Sequence, residues 1–268
     1  MAVHDTNRPA EPAALYERRG GTAIITLNRP YALNAVNTAL STAVGTLLVK
    51  AANDPRVRVV VLTGAGRAFC AGADLKALAT GEKIDADGHP EWGFADYVQH
   101  WIDKPTIAAV NGFALGGGTE LVLASDLAVV DEDAQLGLPE VKRGLFAAAG
   151  GVIRLQQQIP RKIALELALT GEPITAADGL KLGLVNRVAP AGTALEVALG
   201  LAEQIAANAP LSVRESKSMI HCTASHDAWK PAAWEVNTAA MKVVFTSNDA
   251  KEGPTAFVEK RQPVWCGC

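Results

Sequence analysis

The stretch VRVVVLTGAG (Val57 to Gly66) is apolar without alternation. A strand with that pattern has no solvent-facing side, so it must lie between two covering layers. Four more runs carry strand signatures: TAIITLNRP (Thr22 to Pro30), KPTIAAVNG (Lys104 to Gly112), LAVVDED (Leu127 to Asp133) and LVNRVAP (Leu184 to Pro190). Between them fall stretches with apolar residues at three and four spacing, including ALNAVNTALSTAVGTLLVKAAND (32–54) and ELVLASD (120–126). Strands alternating with helices define an α/β core with mostly parallel pairing. At 268 residues the chain buries roughly 75% of the surface its unfolded form exposes, so the core needs no staples.

The first 20 residues are polar and proline-bearing and are expected to form a mobile leader rather than a signal peptide. The core is expected over 21–190, with a helical region over 191–268 and a soft boundary near Ala189 to Thr193. Gly81 to about Trp92 reads as a flexible loop, and AQLGLPE (134–140) as a turn.

Composition removes several functions. A net charge of −3 leaves no basic footprint for nucleic acid, and no apolar run approaches a membrane span. Four cysteines, at 70, 222, 266 and 268, match no standard zinc spacing, so no metal site is expected, and a reduced cytoplasmic chain is the reading. TGAGRAF begins like a dinucleotide fingerprint, but Phe69 stands at the sixth position. The phosphate loop, H-E-x-x-H and G-x-S-x-G are absent.

The chemistry concentrates in NGFALGGGTELVLASD (Asn111 to Asp126). Gly116, Gly117 and Gly118 follow a strand and open a helix, where free N–H groups and the dipole favour negative charge. A second small-residue turn, GRAFCAGADLK (66–76), can offer another free N–H. Two such donors converging on one carbonyl form an oxyanion hole. Alternatively the glycines only let helix and strand pack closely. Glu120 in the first turn favours the former, and 20 positions later LGLPEVKRG supplies Glu140. Two acids beside an oxyanion hole can handle a proton and a water together.

These motifs resemble the crotonase family, the enoyl-CoA hydratase and isomerase superfamily. RAFCAGADLK is similar to its first oxyanion turn and AAVNGFALGGGTEL to its second; LPEVKRG, ITAADGLKLGLVNRVAP and EGPTAFVEKR follow in order. The resemblance implies a spiral of β-β-α units with a helical C-terminal region, assembled as a homotrimer or homohexamer. It implies that the Ala73 and Gly117 N–H groups bind a thioester oxygen, that Glu120 activates water, and that Glu140 delivers a proton next to the thioester. It assigns Ala71, Asp74, Leu75 and Lys76 to coenzyme A, and Phe257 and Lys260 to cover over the acyl-CoA, often across a subunit interface. The implied activity is hydration of a 2-enoyl-CoA thioester, with coenzyme A as part of the substrate and no separate cofactor. Isomerisation, carnitinyl-CoA dehydration and non-catalytic acyl-CoA binding are the alternatives. GGVIRL resembles the branch with crotonobetainyl-CoA hydratases. Tyr31 stands where relatives often carry lysine, and Ala147 and Ala148 stand at a Pro-Gly pair, so an altered acyl preference is expected. Cys70 is expected to be a small buried hydrophobe. Trp92, Tyr97 and Trp101 are candidates to line an acyl pocket, with plain core packing as the alternative.

Overall fold

The computed structural model describes residues 11–84 and 88–268. A six-stranded sheet forms the centre, in the order β1 (Ala14–Arg19), β2 (Thr22–Leu27), β3 (Val59–Gly64), β5 (Thr106–Val110), β7 (Leu127–Asp131), β10 (Arg187–Ala189). All pairs are parallel except β1 with β2. Every residue of β5 is buried, and β3 is buried up to Gly64, as expected of strands covered on both faces.

A second, four-stranded sheet stands beside it: β4 (Ala68–Cys70), β6 (Phe113–Leu115), β8 (Gln135–Gly137), β9 (Ile174–Thr175). Three neighbouring strands of the first sheet each pass, after a short turn, into a short strand of the second: β3 into β4, β5 into β6, β7 into β8. This is the β-β-α spiral. Residues 135–137, read as a turn, are therefore a strand, because their partners lie far away in sequence.

Helix α1 (Thr38–Asn53) starts where the Asn37 side chain accepts the Leu40 N–H, later than its apolar pattern suggests. Short α2 (Leu75–Ala79) and α3 (Gly117–Ala124) follow the two turns of interest. Next come α4 (Gly151–Gln158), α5 (Arg161–Thr170) and α6 (Ala176–Leu182). Helix α7 (Ala194–Ala206) lays Ala198 and Ala202 onto the second face of the large sheet, against Val59, Val61 and Ile107. Its N-terminus is held by the Asp131 carboxylate, which accepts the N–H groups of Gly192, Thr193 and Ala194. The helical region thus begins inside the core packing. Helices α8 (Pro210–Thr223), α9 (Pro231–Phe245) and α10 (Asp249–Glu259) complete the chain, with α8 against α9 and α9 against α10.

Two expectations need correction. Residues 14–19, assigned to the mobile leader, form strand β1; residues 1–10 of that leader lie outside the described residues. Strand β1 escaped notice because its outer positions are exposed and charged, as an edge strand's are. Cys266 and Cys268, expected as thiols, are joined by a disulfide. Part of the expected loop, 85–87, also lies outside the described residues, while Pro90–Trp92 forms a turn of 3-10 helix.

Candidate active site

The head of α3 is where the two turns meet. Gly116 adopts φ +56° and ψ −125°, a conformation open mainly to glycine, and α3 begins at Gly117. As first residue of the helix, Gly117 has no intrahelical acceptor for its N–H. The other turn runs through Gly72, and a Cβ there would lie 3.1 Å from the Gly117 nitrogen. Ala73 pairs with Val36 as a single parallel bridge: the Val36 N–H donates to Gly72 O, and the Asp74 N–H to Val36 O. In that pattern the N–H of Ala73 points away from Val36. Asn34 fixes the approach to this turn, its amide donating to Ala65, Ala68 and Phe69 carbonyls. Burial pushes the Cys70 thiol up to about 12, so it stays neutral, a small apolar residue as expected.

Both glutamates are brought to this point. Glu120, on the first turn of α3, is 3% exposed, and its Oε1 accepts the Gly151 N–H at 2.8 Å. The Ala149 N–H lies near enough to favour its charged form as well. A Cβ on Gly151 would lie 2.9 Å from that oxygen, so α4 can present its first N–H only because residue 151 is glycine. Glu140 follows Pro139 in a 3-10 turn, and its Oε1 lies 3.0 Å from where a Cβ on Gly116 would stand. Its Oε2 is buried without a hydrogen-bond partner among the described residues. Such an atom costs free energy unless something arrives to satisfy it.

Burial pushes the Glu120 pKa up to about 7; Glu140 adds to the rise, while Gly151, Ala149 and Arg154 oppose it. Burial also raises Glu140, opposed by its own N–H and by Arg143. A carboxyl with a raised folded pKa favours the fold in its neutral form. That contribution is complete below the ordinary value of 4.5 and is lost as pH rises through about 7. Replacing Glu120 by glutamine is therefore expected to leave stability unchanged near pH 4.5 and to raise it above pH 7, by on the order of 3 kcal/mol. Urea midpoints at the two pH values check this; equal differences at both would mean that Glu120 is not held neutral.

The remaining candidates separate. Ala71 and Ala73 are half-buried at the first turn, while Leu75 and Lys76 are exposed on α2. The Asp74 carboxylate is already engaged, capping α2 through the Lys76 and Ala77 N–H groups and pairing with Arg29 at 3.1 Å. Phe257 and Lys260 are exposed at the end of α10. Tyr31 is exposed, with the Arg29 guanidinium 5.7 Å from its ring centre. Ala147 is buried and its methyl lies 2.7 Å from where a Cβ on Gly151 would stand, whereas Ala148 is exposed. The methyl crowding the Glu120 region is thus that of Ala147.

The three aromatic candidates have other neighbours. Trp92 is stacked between His89 and His100, Tyr97 shares a hydrogen bond with Ser125, and Trp101 lies over Lys217. The aromatic ring at the site is Phe94, whose edge would be 2.3 Å from a Cβ on Gly117. Ala95 and Asp96, which follow it, both have positive φ. Sequence gave no signal for Phe94. Arg154 and Gly151 lay in the GGVIRL motif, but only folding shows that they face Glu120.

Comparison with known proteins gives the family. The model of the enoyl-CoA hydratase/isomerase family matches residues 17–267. The chain belongs to that family. It is similar to an enoyl-CoA hydratase of Mycobacterium tuberculosis, 42% identical over 261 residues, covering 94% of this chain and 96% of the relative. It is equally similar to carnitinyl-CoA dehydratase of Salmonella typhimurium, 42% identical over 255 residues, with 93% and 97% covered. Among solved structures, carnitinyl-CoA hydratase from Mycobacterium avium is 58% identical with a TM-score of 0.77, covering 96% of this chain and 99% of that one. The enoyl-CoA hydratase EchA1 of Mycobacterium marinum is 46% identical with a TM-score of 0.91, covering 96% and 100%. The crotonase spiral is therefore the fold, and an acyl-CoA thioester is the substrate class of the family. Among the described residues no helix is long and apolar enough to cross a membrane, and no three His, Cys, Asp or Glu side chains are grouped to hold a metal.

Proposed function

We propose that this protein hydrates a 2-enoyl-CoA thioester, adding hydroxyl at C3 and hydrogen at C2. The observation that carries the reading is the pair of carboxyl groups at the glycine-lined head of α3, that of buried Glu120 and that of half-buried Glu140 with its buried Oε2. In this reading the Ala73 and Gly117 N–H groups hold the thioester oxygen as negative charge builds on it, a contribution of about 3–4 kcal/mol per donor. Glu120, held by the Gly151 N–H, orients and deprotonates the water. Glu140 gives a proton to C2 from its unpartnered oxygen. Ala71, Leu75 and Lys76 serve the coenzyme A moiety, with Asp74 shaping their turn through its cap. The reaction so drawn requires no cofactor beyond the substrate's coenzyme A.

The test follows the ultraviolet absorbance of crotonyl-CoA. Loss of the conjugated enoyl signal with wild-type protein supports hydration, and an unchanged signal despite coenzyme A binding removes it. A second reading, interconversion of crotonobetainyl-CoA and carnitinyl-CoA, is favoured by the names of the relatives. Identification of the product formed from crotonobetainyl-CoA separates the two.

Self-association belongs to the same proposal. Trp229, Trp234, Phe245 and Phe257 stand exposed on the C-terminal helices and their connection, more apolar surface than solvent favours. Three or six copies are expected by light scattering, with Phe257 and Lys260 reaching a neighbour's acyl-CoA. A monomer at working concentration would remove that role.

A further inference from the structure

The opposite end of the large sheet carries a feature that hydration does not use. Arg58 stands immediately before β3 and Lys104 shortly before β5, at the N-terminal ends of parallel strands whose C-terminal ends lead to the Ala73 turn and to α3 with Glu120. Both line a cavity of about 330 Å³, together with Asn53, Asn208, Arg214 and the Cys266–Gly267 tail. Its charges do not cancel. Asp54 is held by Arg56 at 2.9 Å, and Asp103 by Arg214 at 2.9 Å. Lys104, buried, donates to the Ala51 and Asp54 carbonyls at 2.7 Å, neither of them a charge partner. Nη1 of Arg58 is buried with no hydrogen-bond partner among the described residues. Burial lowers the Lys104 pKa; Asp103 and Asp54 oppose that shift, while Arg214 and Arg58 add to it, so the three cations lie within each other's field. Two positive charges thus remain without a carboxylate. Converging cations with a free guanidinium nitrogen suit a tetrahedral dianion with several acceptor oxygens.

We propose that this cavity binds a phosphate group, free or borne by a small molecule, at a site separate from the catalytic head of α3. Arg58 supplies its unpartnered Nη1 and Arg214 the donors that Asp103 leaves over, with the Lys104 charge lining the same cavity. The test is isothermal titration of the intact protein with inorganic phosphate at low ionic strength, against chloride of equal ionic strength. The cavity shares no residue with the proposed thioester site, so loss of binding in variants of its arginines distinguishes the two sites. One phosphate per chain is expected. Arg58→Gln and Arg214→Gln should each weaken it by about tenfold or more, the loss expected for one charge-assisted hydrogen bond. Turnover of thioester should be unchanged in both. Absence of phosphate binding beyond the chloride control overturns the proposal, as does undiminished affinity in either variant. If Arg58→Gln does not fold, the half-buried Arg214 carries the test alone. Acetate binding as tightly as phosphate overturns the assignment to phosphate.

Discussion

Glu120→Gln and Glu140→Gln are each expected to lower crotonyl-CoA turnover by about 10²–10⁴-fold, the usual contribution of a positioned acid or base. The substitutions are close in shape. A glutamine at 120 still offers an oxygen to the Gly151 N–H, so its fold should survive. What it loses is the ability to take a proton from water. A glutamine at 140 keeps the side chain beside Gly116 but has no carboxyl proton to give to C2. Because both groups act on one water and one proton, the double variant should be little worse than the poorer single one. Near-normal turnover in either single variant would remove that residue from the mechanism. The two environments also separate their roles. Glu120 is pushed up to about 7 by burial, while the Gly151 N–H on its Oε1 supports the charged form, so it can exchange a proton near neutral pH. Glu140 has a buried oxygen that nothing satisfies, which suits the form that carries a proton and aims it at substrate.

The sequence made the large sheet legible because its central strands are apolar on both faces, a pattern few other environments tolerate. It made the site legible because glycines, a following acid and a second acid recur in family order. It hid the smaller sheet. Strands β4, β6 and β8 have three residues each, too few for periodicity to register. What makes them strands is pairing between Ala114 and Leu136, or Cys70 and Ala114, which local propensity cannot anticipate. Phe94 has no local signature either: its place beside Gly117 is a contact between residues 23 apart in sequence. Asp74 shows a different limit. The motif marked it for coenzyme A, whereas its carboxylate is occupied by the cap of α2 and by Arg29. Motif position locates a residue near a ligand, but only contacts reveal which groups remain free to bind one.

Replacing adjacent glycines should separate the two explanations for the glycine run, close packing and ligand approach. A Cβ on Gly118 would lie 2.0 Å from the Cys70 carbonyl oxygen and 2.9 Å from its carbon. Both are backbone atoms at the end of β4, so α3 and the smaller sheet would have to part. Gly118→Ala is expected to destabilise the protein by about 3 kcal/mol or more, read from the urea midpoint. A Cβ on Gly117 meets the end of the Phe94 ring instead, and a side chain can give way where backbone cannot. Gly117→Ala should therefore fold, but with Phe94 and the head of α3 displaced. A misplacement of about 1 Å at a reacting centre costs roughly 10²-fold, so the loss should appear in turnover rather than in the midpoint. If Gly118→Ala folds normally, packing does not require glycine there. If Gly117→Ala turns over normally, its N–H need not be placed tightly against the thioester. The expected split makes Gly118 the residue that joins helix to strand and Gly117 the one that leaves a hydrogen-bond donor facing the substrate.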